Sequence, residues 1–121
     1  MKFFNMIGKW ITLIIFIVTT YLVVAKLNII TLDVWLESWN DKLKHILAFT
    51  LLAFGLTHYW RIRWYFTLVI LLMYGIGIEV VQYFIPNRTT SMWDILANML
   101  GIFLGILGYI FIGFISKNAK N

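Results

Sequence analysis

The sequence predicts an all-α polytopic membrane protein, a four-transmembrane-helix bundle with a short interfacial amphipathic helix in its first outer loop. Three observations predict this. Of 121 residues, 62% are hydrophobic and 12% are charged, where a soluble domain carries about 25% charge. The apolar residues fall into four runs, each near the length that crosses a bilayer. The basic residues sit in the short breaks between those runs instead of forming a patch with interleaved aromatics, so the net charge of +5 reads as topogenic and no nucleic-acid partner is expected. The absence of cysteine excludes disulfides, thiolate metal sites and cysteine nucleophiles. A chain of this size forms one domain, residues 1–121.

The first span, about 7–26, holds the uncharged stretch between Lys9 and Lys26, with Lys9 snorkelling to the interface. Lys26 follows Val23-Val24-Ala25 directly, so no clean cleavage site is present and a retained helix is expected. In the following loop Leu32, Trp35, Leu36, Trp39 and Leu43 recur at helical spacing, with Asp33, Glu37 and Asp41 opposite, the pattern of a helix lying in the interface. The second span is about 42–60. The third, about 64–85, carries Glu79 as its only charge, and the fourth, about 94–116, carries none beyond its first residue, Asp94.

Sidedness follows from the cations. Lys2, Lys9, Arg61, Arg63, Lys117 and Lys120 fall on one side and Lys26, Lys42, Lys44 and Arg88 on the other, which places both termini in the cytoplasm and the 28–44 and 86–92 loops outside.

Polar side chains within spans are costly, so their positions are informative. Asp41, Lys42 and His45 open the second span, Glu79 and Gln82 lie near the end of the third, Arg88 is in the outer turn, and Asp94 and Asn98 open the fourth. All fall toward one face of the membrane. Glu79 lies roughly 9 Å inside Ile85 and Asn98 roughly 6 Å inside Asp94, comparable depths. At about 100° per residue, Gly75, Glu79, Gln82 and Pro86 form one stripe, Asp94, Asn98, Gly101, Gly105 and Gly108 a second, and Asp41, His45, Ala48 and Gly55 a third. Each stripe is polar outside and small further in, as three helices require if they pack closely below a polar pocket. Asn98 and Gln82 also suit plain interhelical hydrogen bonding. Glu79, a carboxyl within an apolar run, must be protonated, paired or solvated, which favours a functional role.

The combined pattern, Asp41-Lys42-x-x-His45, Glu79-x-x-Gln82, then Arg88 with Asp94-x-x-x-Asn98-x-x-Gly101, resembles the VanZ-like family of small bacterial membrane proteins over roughly residues 40–108. Thr89-Thr90-Ser91 supplies the small polar residues that usually lie between the Arg and the Asp. The resemblance implies a cell-envelope protein of the bacterial cytoplasmic membrane, in a family whose name-giving member is associated with resistance to the glycopeptide teicoplanin.

Three chemistries fit these residues. In the first, Lys42 and Arg88 hold an anionic group of a lipid-linked ligand, with Asp41, His45, Glu79, Gln82, Asp94 and Asn98 completing the pocket. Membrane lipids, a lipid-linked cell-wall precursor or a lipoglycopeptide are the expected partners. In the second, His45 and Glu79 act as a catalytic acid/base pair on a lipid-linked phosphate or acyl group. Proton- or cation-coupled transport is the third; it needs oligomerisation, because the polar residues stop near mid-membrane, and a homo-oligomer is compatible with the sequence. No cofactor is expected, since no HExxH, P-loop or GxGxxG context is present. A metal held by His45, Glu79, Asp41 and Asp94 is disfavoured by the two nearby cations.

Overall fold

The structure of the protein, a computed structural model, describes residues 2–24, 34–84 and 92–119, and within them every side chain except those of 22–24, 34–41 and 82. Four helices account for almost all of it: α1 (Lys2–Val24), α2 (Val34–His58), α3 (Trp64–Tyr83) and α4 (Met92–Ala119). Among the described residues there is no strand. Three stretches, Lys2–Tyr21, Trp64–Val81 and Met92–Ala119, are long and apolar enough to cross a membrane.

α2 is less apolar because its first turns carry Glu37, Asp41, Lys42 and Lys44. It touches all three other helices, and α3 does the same, whereas α1 and α4 make no contact with each other among the described residues. α2 buries His45, Ala53 and Thr57 and leaves Leu43, Leu47 and Leu51, spaced four apart, as an exposed ridge. The stretch expected to form a separate interfacial helix differs from that expectation. From Val34 onward the chain runs without a break into α2; Leu32 and Asp33 lie outside the described residues, as do the side chains of Trp35, Leu36, Glu37 and Trp39.

Contacts fix the directions. Gly8 faces the ring of Tyr59 and Gly55 faces Thr12, so α1 and α2 are antiparallel. Gly101 meets Ile46 and Phe49, and Gly105 meets Thr50 and Ala53, so α2 and α4 are parallel. A β-carbon at Gly101 would come within 2.6 Å of the Ile46 carbonyl oxygen, so only glycine permits this approach of two helices. Phe49, Leu52, Ala53, Leu71, Ile78, Ile102 and Ile106 form the buried core beside that seam. Most other large apolar side chains face outward, as suits a bundle solvated by hydrocarbon.

The helix ends have local causes. At the end of α2 the Ile62 amide donates to the Leu56 carbonyl and Tyr59 to that of Gly55, a closure that needs a left-handed residue, here Arg61 with φ 56°. α4 begins with Asp94 in its first turn and ends with Lys117 in its last, charges that match the helix dipole.

Candidate functional site

The seam between α2 and α4 opens at the end where both helices start. One turn before Phe49, the His45 ring lies beside Asn98 of α4, with Nδ1 and Oδ1 2.9 Å apart. An amide oxygen only accepts, so Nδ1 is the donor in this bond. Both side chains are buried, with Asn98 2% exposed. Asn98 Nδ2 donates to no acceptor among the described residues. It lies toward α3, where a β-carbon on Gly75 would stand 3.0 Å from it, so this glycine lets α3 approach the amide.

α3 runs antiparallel to α4, so one turn outward from the Gly75 and Asn98 level come Glu79 on α3 and Asp94 on α4. Both are buried. Lys42, half-buried, lies three residues ahead of His45 on α2. Lys42, His45, Glu79 and Asp94 each have a polar, charged or ring partner, and so does Trp93. The structure therefore gathers His45, Asn98, Glu79 and Asp94 at one end of the bundle. The Asp41 backbone lies in α2, one turn beyond His45. The Asp41 and Gln82 side chains and all of Arg88 lie outside the described residues. Among the described residues no group of three or more His, Asp or Glu is placed to hold a metal ion.

Two features escaped sequence reasoning. Below the polar level, Thr20 of α1 and Tyr74 of α3 share a hydrogen bond, and the Tyr74 ring packs on Phe16 and Phe49. α1 therefore braces the helix that carries Glu79; Thr20, a hydroxyl in an apolar run, is the signal in the sequence. The second feature is a groove of about 490 Å³ between the end of α3 and the start of α4. Glu79 lines it together with Ile76, Val80, Tyr83, Phe84, Met92 and Ile95. Its walls are ordinary apolar residues, which no motif distinguishes from lipid-facing surface.

Comparison with known proteins supplies a family. A family model described as VanZ/LLP1 matches residues 3–113. Among curated proteins the chain is similar to "Uncharacterized protein C11E3.10" of Schizosaccharomyces pombe, at 39% identity over 75 residues, covering 56% of this chain and 45% of the relative. The chain thus spans about half the length of that relative, whose fungal origin means that similarity of this kind does not by itself specify a bacterial membrane. No solved structure matches. With the match extending from the first helix through most of the fourth, the chain belongs to the VanZ/LLP1 family.

Proposed function

We propose that this VanZ/LLP1 protein spans the bacterial cytoplasmic membrane four times, with both termini inside, and binds the anionic part of a lipid-linked ligand in a polar chamber facing the outer leaflet. The observation that carries this reading is the burial of His45, Glu79, Asp94 and Asn98 at one end of the bundle. Ionisable groups at membrane depth persist where they serve a ligand or a proton path. The exposed leucine ridge of α2 supports the fourth span. Lys42 and Arg88 supply the positive charge, and the acids orient those cations and accept donors from the ligand. Such a pocket fits a phospholipid headgroup, a lipid-linked wall precursor or a lipoglycopeptide, and so a role in envelope homeostasis or in glycopeptide (teicoplanin) resistance.

One observation favours a second reading. A histidine bonded through Nδ1 to a buried amide has its ring held in a fixed orientation, the arrangement of a catalytic residue with its orienting partner. On that reading His45 and Glu79 act on a lipid-linked phosphate or acyl group.

Native mass spectrometry of the purified protein separates these. Binding predicts co-purified anionic lipid that is lost in Lys42→Ala and Arg88→Ala while membrane insertion persists. Turnover of a lipid-linked phosphate, lost in His45→Ala, selects catalysis. Equal lipid retention in every variant, without turnover, overturns both.

A further inference from the structure

The end of the bundle opposite His45 and Asn98 gathers cations. Lys9 on α1 and Arg61 and Arg63 in the connection between α2 and α3 are all exposed there. They come together because α1 and α2 are antiparallel: Lys9 Nζ lies 5.6 Å from the centre of the Trp60 ring, within cation–π range, and Trp60 adjoins Arg61 in the chain. The five acidic residues belong elsewhere. Glu79 and Asp94 are buried at the far end, Glu37 and Asp41 lie in the first turns of α2 at that same end, and Asp33 precedes them in the sequence. Among the described residues no carboxylate shares this end with the three cations.

Local structure holds these charges in place. Thr57 of α2 and Thr67 of α3, both buried, share a hydrogen bond of 3.2 Å, which ties the two helices together just behind the turn. Arg63 Nη1 donates to the Tyr65 hydroxyl at 2.7 Å and leaves the rest of its fork for an anion. Arg61 takes a left-handed backbone conformation, φ 56°, that glycine adopts at lower cost. An arginine at a strained position of that kind points to work for its guanidinium.

Depth and charge select the occupant. Trp10, Trp60, Trp64 and Tyr65, in the same segments, are exposed, and such rings settle at the headgroup level of a bilayer, where lipid phosphates lie. Arginine forks match phosphate oxygens two at a time. A zwitterionic headgroup brings its own cation, which three positive charges repel; a net-negative headgroup brings none.

We propose that Arg61 and Arg63, with Lys9 over the Trp60 ring, bind the phosphate of an anionic phospholipid at this end of the bundle. The site is separate from the ligand-binding chamber and does not depend on it.

The test uses the full-length protein carrying Lys42→Ala and Arg88→Ala, so that an anion in the chamber is not counted. Purification in an uncharged detergent removes membrane sidedness from the measurement. Native mass spectrometry then reads the lipid bound from an equal mixture of phosphatidylglycerol and phosphatidylcholine. Phosphatidylglycerol is retained in about tenfold excess or more, and Lys9→Gln, Arg61→Gln and Arg63→Gln each lower that excess about fivefold, the worth of one cation near a charged headgroup. Lys117→Gln, an exposed cation near the end of α4, leaves it unchanged. Arg61→Lys with Arg63→Lys keeps the charge but loses the fork, and still lowers the excess several-fold. Should a Gln variant unfold, this Lys pair decides. Equal retention of the two lipids overturns the proposal, as does an excess that survives the Gln substitutions or falls as much with Lys117→Gln. Full retention by the Lys pair overturns the guanidinium clamp. Release of the lipid by millimolar glycerol phosphate, but not by sodium chloride of the same ionic strength, assigns the cations to a soluble phosphate and overturns the lipid.

Discussion

His45 and Asn98 join two parallel helices through an imidazole-to-amide hydrogen bond, 2.9 Å long and buried, at the point where the glycine seam of α4 ends. Two turns of α4 separate the Asn98 amide from Gly105, and over that distance the α2–α4 interface passes from polar contact to backbone contact. The seam draws the helices together and the bond fixes their rotation, so that His45 faces the end of the bundle that Glu79 and Asp94 also occupy.

Removing either partner of that bond is expected to cost stability and orientation. A buried donor or acceptor left unmatched costs ~1–3 kcal/mol, whereas the pair itself couples by only ~0.6–1.7 kcal/mol within membranes. Unfolding of Asn98→Ala, His45→Ala and the double variant in mixed micelles should therefore give a double-mutant cycle within that range. A coupling of zero would mean that the two residues do not act as a pair.

The glycines of α4 provide an internal control for helix packing. At Gly105 a β-carbon would lie 2.6 Å from that of Ala53 and 2.9 Å from the Phe54 amide nitrogen, backbone and branch-point atoms that cannot swing aside. Gly105→Ala should destabilise by ~1–3 kcal/mol through overpacking. Gly113 has nothing within 4 Å of such a carbon, so Gly113→Ala should be neutral or stabilise by up to ~1 kcal/mol on helix propensity. Thermal unfolding of the two variants side by side checks the difference; equal effects would refute the seam.

Much of this arrangement is legible in the sequence because the α-helix converts spacing into direction. The intervals of four and three linking Asp94, Asn98, Gly101 and Gly105 place all four on one face, and all four are buried. The depth arithmetic is off by one turn: it sets Glu79 level with Asn98, whereas Gly75 lies at the Asn98 level and Glu79 comes one turn further out, at the level of Asp94. Rotation about a helix axis says nothing about which neighbour a stripe meets. The pairing of Asn98 with His45, and the turn of its amide nitrogen toward Gly75, depend on packing across 53 and 23 residues of sequence. The apolar groove was hidden for a different reason. Ile76, Val80 and Ile95 differ in no chemical respect from lipid-facing residues elsewhere in the chain.

At Arg61, local conformation and membrane sidedness pull in opposite directions. The left-handed backbone there costs a non-glycine residue ~1–2 kcal/mol, and glycine is the usual occupant of such a helix end. Arg61→Gly should therefore raise the unfolding midpoint, by relief of roughly that strain. It also removes one of two cations from a tight turn and so weakens the charge bias that orients the chain. A rise in stability accompanied by a mixed-orientation population, read by protease protection, is the expected outcome. A fall in stability would show that the guanidinium contributes more than the backbone loses.

Sidedness can be read directly because the chain contains no cysteine, so a single introduced thiol reports only its own position. With six basic residues assigned to the inner side and four to the outer, the bias favours termini inside, and the chamber end of α2, α3 and α4 then faces the exterior. Asn87→Cys, in the connection between α3 and α4, should react with a membrane-impermeant maleimide on intact cells. Asn118→Cys, exposed near the end of α4, should react only after permeabilisation. The inverse pattern would place the chamber in the inner leaflet and exclude ligands confined to the outer face, including lipoglycopeptides. It would leave the His45–Asn98 pair and the groove lined by Glu79 unchanged, because those features follow from helix packing and not from which way the bundle sits in the bilayer.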